Sequence, residues 1–130
     1  PAARGFKPWA VMLLDLAPTS LALSDDGGRV ALTGTEGEVR VLDATTGRSG
    51  LHLRGHRGAA RAADFSPAGD RLVTGGDDRT ARVWDVHTGR ELAALGGHAG
   101  AVLAVAFAPG GRTVVTGGED GAARVWALDP

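Results

Sequence analysis

The sequence predicts an all-β fold made of short antiparallel strands, and three observations carry that expectation. First, one set of residues recurs at a fixed spacing. Gly55-His56 returns as Gly97-His98, Phe65 as Phe107, Gly75-Gly76 as Gly117-Gly118, Asp78 as Asp120, and Arg82-Val83-Trp84 as Arg124-Val125-Trp126, every offset being 42 residues. Second, apolar and β-branched stretches of about five residues alternate with Gly-rich turn sequences inside each period, which is strand-and-turn punctuation. Third, no segment of about ten or more residues keeps a helical 3.6 spacing without a Gly or Pro turn signal. Glycine alone supplies 21 of the 130 residues.

The elements follow in order. Residues 5–14 align with residues 47–56 at the same offset, and residues 8–12 read as the last strand of a preceding unit. Residues 15–54 are a worn copy. Arg40-Val41-Leu42-Asp43 matches Arg82-Val83-Trp84-Asp85, Thr46-Gly47-Arg48 matches Thr88-Gly89-Arg90, Leu23 stands where Phe65 stands, and Glu36 where Asp78 stands. Asp25-Asp26-Gly27-Gly28 reads as the turn between its first strands. Residues 55–96 are a full copy with four strands, the fourth running from Glu91 to Leu95. Residues 97–130 are a third copy without its last strand. Residues 101–107 form one strand, Pro109-Gly110-Gly111 a turn, residues 113–116 a buried strand, residues 117–121 a second turn and residues 122–126 a third strand.

Composition narrows the function classes. Hydrophobic residues make up 43% and charged residues 22%, a globular balance. With 14 basic and 15 acidic residues the chain lacks a nucleic-acid footprint. No apolar run approaches the ~18 residues of a membrane span. Residues 9–16 are a short apolar stretch broken by Asp15, without a small-residue cleavage signature, so no signal peptide and a cytoplasmic location are expected. The absence of cysteine excludes disulfides, thiolate metal sites and cysteine nucleophiles.

A 42-residue, four-strand unit with Gly-His near its start and Trp-Asp near its end resembles the WD-repeat family of β-propellers. The stretch from Gly55 to Asp85 carries the resemblance most densely, while the third unit ends Trp126-Ala127 and the first has Leu14 and Leu42 in place of His and Trp. The resemblance implies blades of four antiparallel strands, about three here, within a larger or oligomer-closed propeller. It also implies a hydrogen-bonded network in each well-formed unit, linking Asp78, His56, Thr74 and Trp84 in the second and Asp120, His98, Thr116 and Trp126 in the third. The chemistry is coherent, because indole N–H only donates while hydroxyl and imidazole can do both. In the first unit the corresponding residues are Glu36, Leu14, Leu32 and Leu42, a concerted exchange of polar network for apolar packing.

Asp, His and a hydroxyl also form the set used by hydrolases. Here the set repeats with the fold period and its Thr sits mid-strand, so the structural reading is favoured and no catalytic residue is assigned. His56 with Asp77 and Asp78, or His98 with Glu119 and Asp120, is a poor donor set for zinc and lacks calcium-loop spacing. Gly76 and Gly118, read as turn residues, lack the Lys-Ser/Thr tail of a phosphate loop. Neither metal nor cofactor is expected.

Arg40, Arg82 and Arg124 share one repeat position and read as structural, their stems packed on neighbouring strands. His52 and His87 fall in an outer strand and a turn and read as solvated. Three arginines instead depart from the repeat: Arg57 becomes Ala99, Arg61 becomes Leu103 and Arg79 becomes Gly121. The resemblance places Arg57 and Arg79 in loops of the face where partners dock, and Arg61 at the start of the innermost strand. They are the candidate partner-binding residues, for an acidic or carboxylate-bearing partner. The expected function is a non-catalytic protein- or peptide-binding scaffold. The alternative is a regulatory or sensory segment of a larger enzyme, for instance a bacterial signalling enzyme, bound to another domain of the same chain. Three blades are too few to close a ring. Two chains joined head to tail, each N-terminal strand completing the other's last blade, would make six.

Overall fold

The computed structural model of the chain describes residues 16–128. The strand expected over residues 8–12, with Leu14, Asp15 and the rest of residues 1–14, lies outside them. The described residues form eleven strands and no helix: β1 (Pro18–Leu23), β2 (Arg29–Gly34), β3 (Val39–Asp43), β4 (Ser49–Leu53), β5 (Ala60–Phe65), β6 (Arg71–Gly76), β7 (Ala81–Asp85), β8 (Glu91–Leu95), β9 (Val102–Phe107), β10 (Thr113–Gly118) and β11 (Ala123–Ala127). They make three antiparallel meanders, β1-β2-β3-β4, β5-β6-β7-β8 and β9-β10-β11. These are propeller blades in chain order. No helix among the described residues is long and apolar enough to cross a membrane.

The sequence copies fold with the same irregularities. The innermost pair of each complete sheet shifts register near its first residues, between Pro18 and Ser20 in one and Ala60 and Ala62 in the next. The outermost pair shifts between Val41 and Leu42, and again between Val83 and Trp84. The glycine pairs expected in turns are instead strand residues: Gly76 and Gly118 close β6 and β10. The reason is that Gly76 N–H still donates to Thr80 O at 3.2 Å, so the ladder runs on into the turn.

The second sheet buries one face on the first sheet and the other on the third. Ala31, Val39, Val41 and Leu53 of the first sheet meet Phe65, Leu72 and Trp84 of the second in one core. Val73, Ala81 and Val83 of the second meet Val102 and Val114 of the third in another. Val73 and Val83 are 0% and 1% exposed, whereas Val115 and Val125, their repeat equivalents on the third sheet, are 37% and 71% exposed. The far face of the third sheet is therefore open, and on the first sheet Leu21 and Leu23 are exposed as well.

Two features tie neighbouring sheets together in ways the repeat does not announce. Phe107 N–H of β9 donates to the Asp64 carboxylate of β5 at 2.7 Å. Asp64 stands where the other units have Ala22 and Ala106. Burial pushes its carboxyl above the ordinary range, the Phe107 N–H opposes this, and the charge of Asp25 adds to it. The second feature is an exchange of size. A Cβ at Gly75 would lie 2.6 Å from Val102 Cγ1, so the glycine is what lets valine sit on the next sheet. At the corresponding positions of the first two sheets stand Thr33 and Ala60, with the bulk moved to the other side.

This exchange generates a double-mutant prediction. Gly75→Thr alone should cost ~1–3 kcal/mol by overpacking against Val102. Val102→Ala alone should cost about as much through the space it opens. The pair together should recover much of the loss, as read by urea denaturation; strictly additive losses would show that the two residues do not share the contact.

Candidate functional site

The second repeat carries a four-residue hydrogen-bond chain. Trp84 Nε1–H donates to Thr74 Oγ1 at 2.9 Å, and Thr74 Oγ1 lies 2.7 Å from His56 Nε2. His56 Nδ1 faces both Asp78 oxygens at 3.0 and 3.2 Å. A carboxylate only accepts, so Nδ1 must carry the imidazole proton. Nε2 then accepts from the Thr74 hydroxyl, which in turn accepts from the indole. Each proton has one place to go. The third repeat repeats the chain, with Trp126 Nε1 2.9 Å from Thr116, Thr116 2.7 Å from His98 Nε2, and His98 Nδ1 3.1 and 3.2 Å from Asp120.

Local sequence sets this geometry. Thr74 lies mid-strand on β6 and is fully buried. Trp84 reaches it from β7, directly opposite Leu72 in the ladder. His56 comes from the loop before β5, and its ring lies over the end of β6: a Cβ at Gly76 would fall 2.9 Å from His56 Nδ1. Asp78 in the β6–β7 turn is held on several sides, by Arg57 N–H at 3.1 Å, Thr80 Oγ1 at 2.9 Å and Arg82 Nη2 at 3.5 Å. Arg82 also donates to Glu91 at 2.8 Å, fastening β7 to β8.

The electrostatics follow from burial and these partners. Burial lowers the His56 pKa, against the Asp78 hydrogen bond and charge, so the ring is neutral. Burial pushes the Asp78 carboxyl up, yet the His56 hydrogen bond and charge, the Arg57 N–H and Thr80 together hold it below the ordinary range. Asp120 is lowered to about 2, chiefly by the Ala99 N–H and also by Ala122 N–H and His98. Among the described residues no group of three or more His, Cys, Asp or Glu side chains could hold a metal.

The first sheet differs. Leu32 and Leu42 are buried at the Thr74 and Trp84 positions, and Glu36 is exposed. A separate polar cluster, which the repeat comparison missed, sits on the opposite face: Thr33 Oγ1 is 2.7 Å from both Thr19 Oγ1 and Ser20 Oγ, and Thr19 donates to Ala60 O across the sheet boundary. The signal for it was the run Thr19-Ser20 with Thr33, which stand where the second unit has Arg61-Ala62 and Gly75.

Arg57, Arg61 and Arg79 lie on the loop before β5, at the start of β5 and in the β6–β7 turn, all at one end of the second sheet. Their states differ. Arg61 makes a two-point pair with Asp77, Nε to Oδ1 and Nη2 to Oδ2, each 2.9 Å. That pair holds the Asp77 carboxyl below its usual range. The Arg57 and Arg79 side chains are exposed and have no partner among the described residues. Arg79 also has φ 68°, in the left-handed region, where the other two repeats place Gly37 at 86° and Gly121 at 76°. A side chain there costs about 1 kcal/mol relative to glycine.

The sequence profile described as WD domain, G-beta repeat matches residues 47–85 and 89–127. The chain belongs to this WD-repeat family. No curated protein matches it. Each matched WD repeat begins in the outer strand of one sheet and ends in the third strand of the next, taking in β4 to β7 and then β8 to β11. The repeat and the sheet are thus one strand out of phase, and every WD repeat covalently bridges two blades.

Two predictions follow from this chain of bonds. Trp84→Ala should cost ~3–5 kcal/mol, through cavity and lost donor, and His56→Ala ~1–3 kcal/mol by leaving Asp78 and Thr74 short of partners. Trp126 is half-buried, so Trp126→Ala should cost less than Trp84→Ala; equal losses in chemical denaturation would contradict the burial difference. The second concerns pH. Folding lowers the His56 pKa below 6.5, so its contribution is complete above that value and is lost as pH falls beneath it. Folding lowers Asp78 and Asp120 below 3.8, so a second loss follows as pH drops through that range. Thermal melts from pH 8 to 2 should show a plateau and two successive declines, and His56→Gln should remove the upper one.

Proposed function

We propose that the chain is a non-catalytic scaffold that binds another protein or a peptide through the loop end of its second sheet. One observation carries the reading: Arg57, Arg61 and Arg79 gather at that end, and the next repeat has Ala99, Leu103 and Gly121 at the same positions. Residues that maintain a blade recur with it; these three do not. Arginine is also a favoured interface anchor. WD repeats in general serve as protein-interaction scaffolds, in keeping with this. The partner is acidic or carboxylate-bearing. The location is read as cytoplasmic, which cell fractionation tests.

The Asp-His-Thr sets support a structural role over a hydrolytic one. Thr74 and Thr116 are fully buried, and each hydroxyl already accepts from an indole and lies against an imidazole. No oxygen is presented to a substrate. A screen against generic esters and peptides should give no turnover; hydrolysis abolished by His56→Ala in a folded protein would overturn this.

A second reading comes from the open sheet faces, with Leu21 and Leu23 at one end of the stack and Val115 and Val125 at the other. We propose that two copies join head to tail through them. Light scattering of the 130-residue chain should show a dimer that Val125→Asp dissociates. Replacing Arg57, Arg61 and Arg79 together by alanine should leave that assembly and the melting temperature nearly unchanged while weakening capture of an acidic partner.

A further inference from the structure

We infer that Arg57 and Arg79 form a two-pronged receptor for one or two adjacent carboxylates on a partner peptide, with Arg61 as a positioning residue locked by Asp77. The inference rests on the docking surface proposed above and assigns its three arginines different work.

The two prongs flank one point. Arg57 donates its backbone N–H to Asp78 Oδ2 at 3.1 Å, and Arg79 is the residue after Asp78. The nearby acids are already engaged. Asp78 is taken by His56, Thr80 and Arg82, and Asp77 by two donors of Arg61. Two exposed arginines thus leave the backbone beside Asp78, and neither side chain has a partner among the described residues. Arg79 in addition occupies a left-handed turn position that glycine fills in both other repeats. Its side chain makes no bond within the described fold in return. Backbone strain of this kind gathers where a side chain serves something other than stability.

The flanks define the ligand. Glu119 and Asp120 occupy the matching turn of the third sheet, and the Glu119 charge acts on Arg61. On the other side the Glu36–Glu38 turn abuts the Arg57 loop, since a Cβ at Gly37 would fall 2.7 Å from His56 O. A positive site between two acidic turns accepts a localised carboxylate pair, best flanked by neutral or basic residues, and disfavours a continuous polyanion. Arg61, tied to Asp77 through two of its three guanidinium nitrogens, occupies the carboxylate nearest to it in place of the two prongs.

The test is fluorescence anisotropy with a labelled peptide carrying two adjacent glutamates between lysines, against the same peptide with glutamines, hexaglutamate and oligouridylate. The diglutamate peptide should bind best, and binding should weaken with salt. Arg79→Gly should lower its affinity about fivefold while raising the melting temperature by a few degrees. Arg57→Ala should lower affinity similarly with the melt unchanged. Unchanged affinity in Arg79→Gly, a lower melting temperature in that variant, or tighter binding of hexaglutamate or oligouridylate would each overturn the inference. If Arg61→Ala alone abolishes binding while the other two variants bind normally, the docking end stands and this division of labour falls. If none of the three variants affects binding, the docking surface falls as well.

Discussion

The second and third sheets depend on a proton arrangement with a single solution. In the second and third sheets an indole donates to a threonine, the threonine to a histidine and the histidine to an aspartate, so the chain of bonds has a direction. It joins the entry loop to two consecutive strands and the turn between them. A neutral imidazole is the only species that can both donate to the aspartate and accept from the threonine, and burial keeps it neutral. Polar groups inside a protein are worth keeping when they are satisfied, and each of these four side chains has its partners.

That internal lock lets the second and third sheets behave as rigid plates with two apolar faces. The plates then stack, and the one-strand offset between WD repeat and sheet sews each plate to the next through the backbone. The first sheet shows the alternative: leucines stand at the Thr74 and Trp84 positions and the sheet is still a four-stranded meander. The network is therefore one way to hold a blade. What the described sheets share is an apolar face buried on a neighbouring sheet; only the second buries both faces, and the exposure of Val115 and Val125 marks the open face of the third.

Sequence reasoning reached the fold through the 42-residue offset, because residues that recur together with Gly-rich punctuation must serve the same local geometry. The fourth strand of the second unit, Glu91–Leu95, and the three strands of the third unit were placed to within two residues of β8 to β11. What escaped it is whatever breaks the period. The Arg61–Asp77 pair joins a residue peculiar to one repeat with a neighbour that looked like part of a turn. Thr19, Ser20 and Thr33 read as ordinary strand residues until the two strands are paired. The left-handed backbone of Arg79 was foreshadowed by Gly121 and Gly37, but an arginine there reads as charge before it reads as conformation. The Gly75 and Val102 exchange needs two sheets in contact, which no single strand encodes.

The bond from Phe107 to Asp64 has a consequence for measurement. Most amides in β9 and β10 are protected by partners in their own sheet, so their exchange with solvent reports the opening of that sheet. The Phe107 amide finds its acceptor on β5, in the sheet before. Its hydrogen exchange therefore reports the parting of two plates, even when each remains folded. A single backbone proton in this chain can act as a clock for inter-blade breathing, set apart from global unfolding.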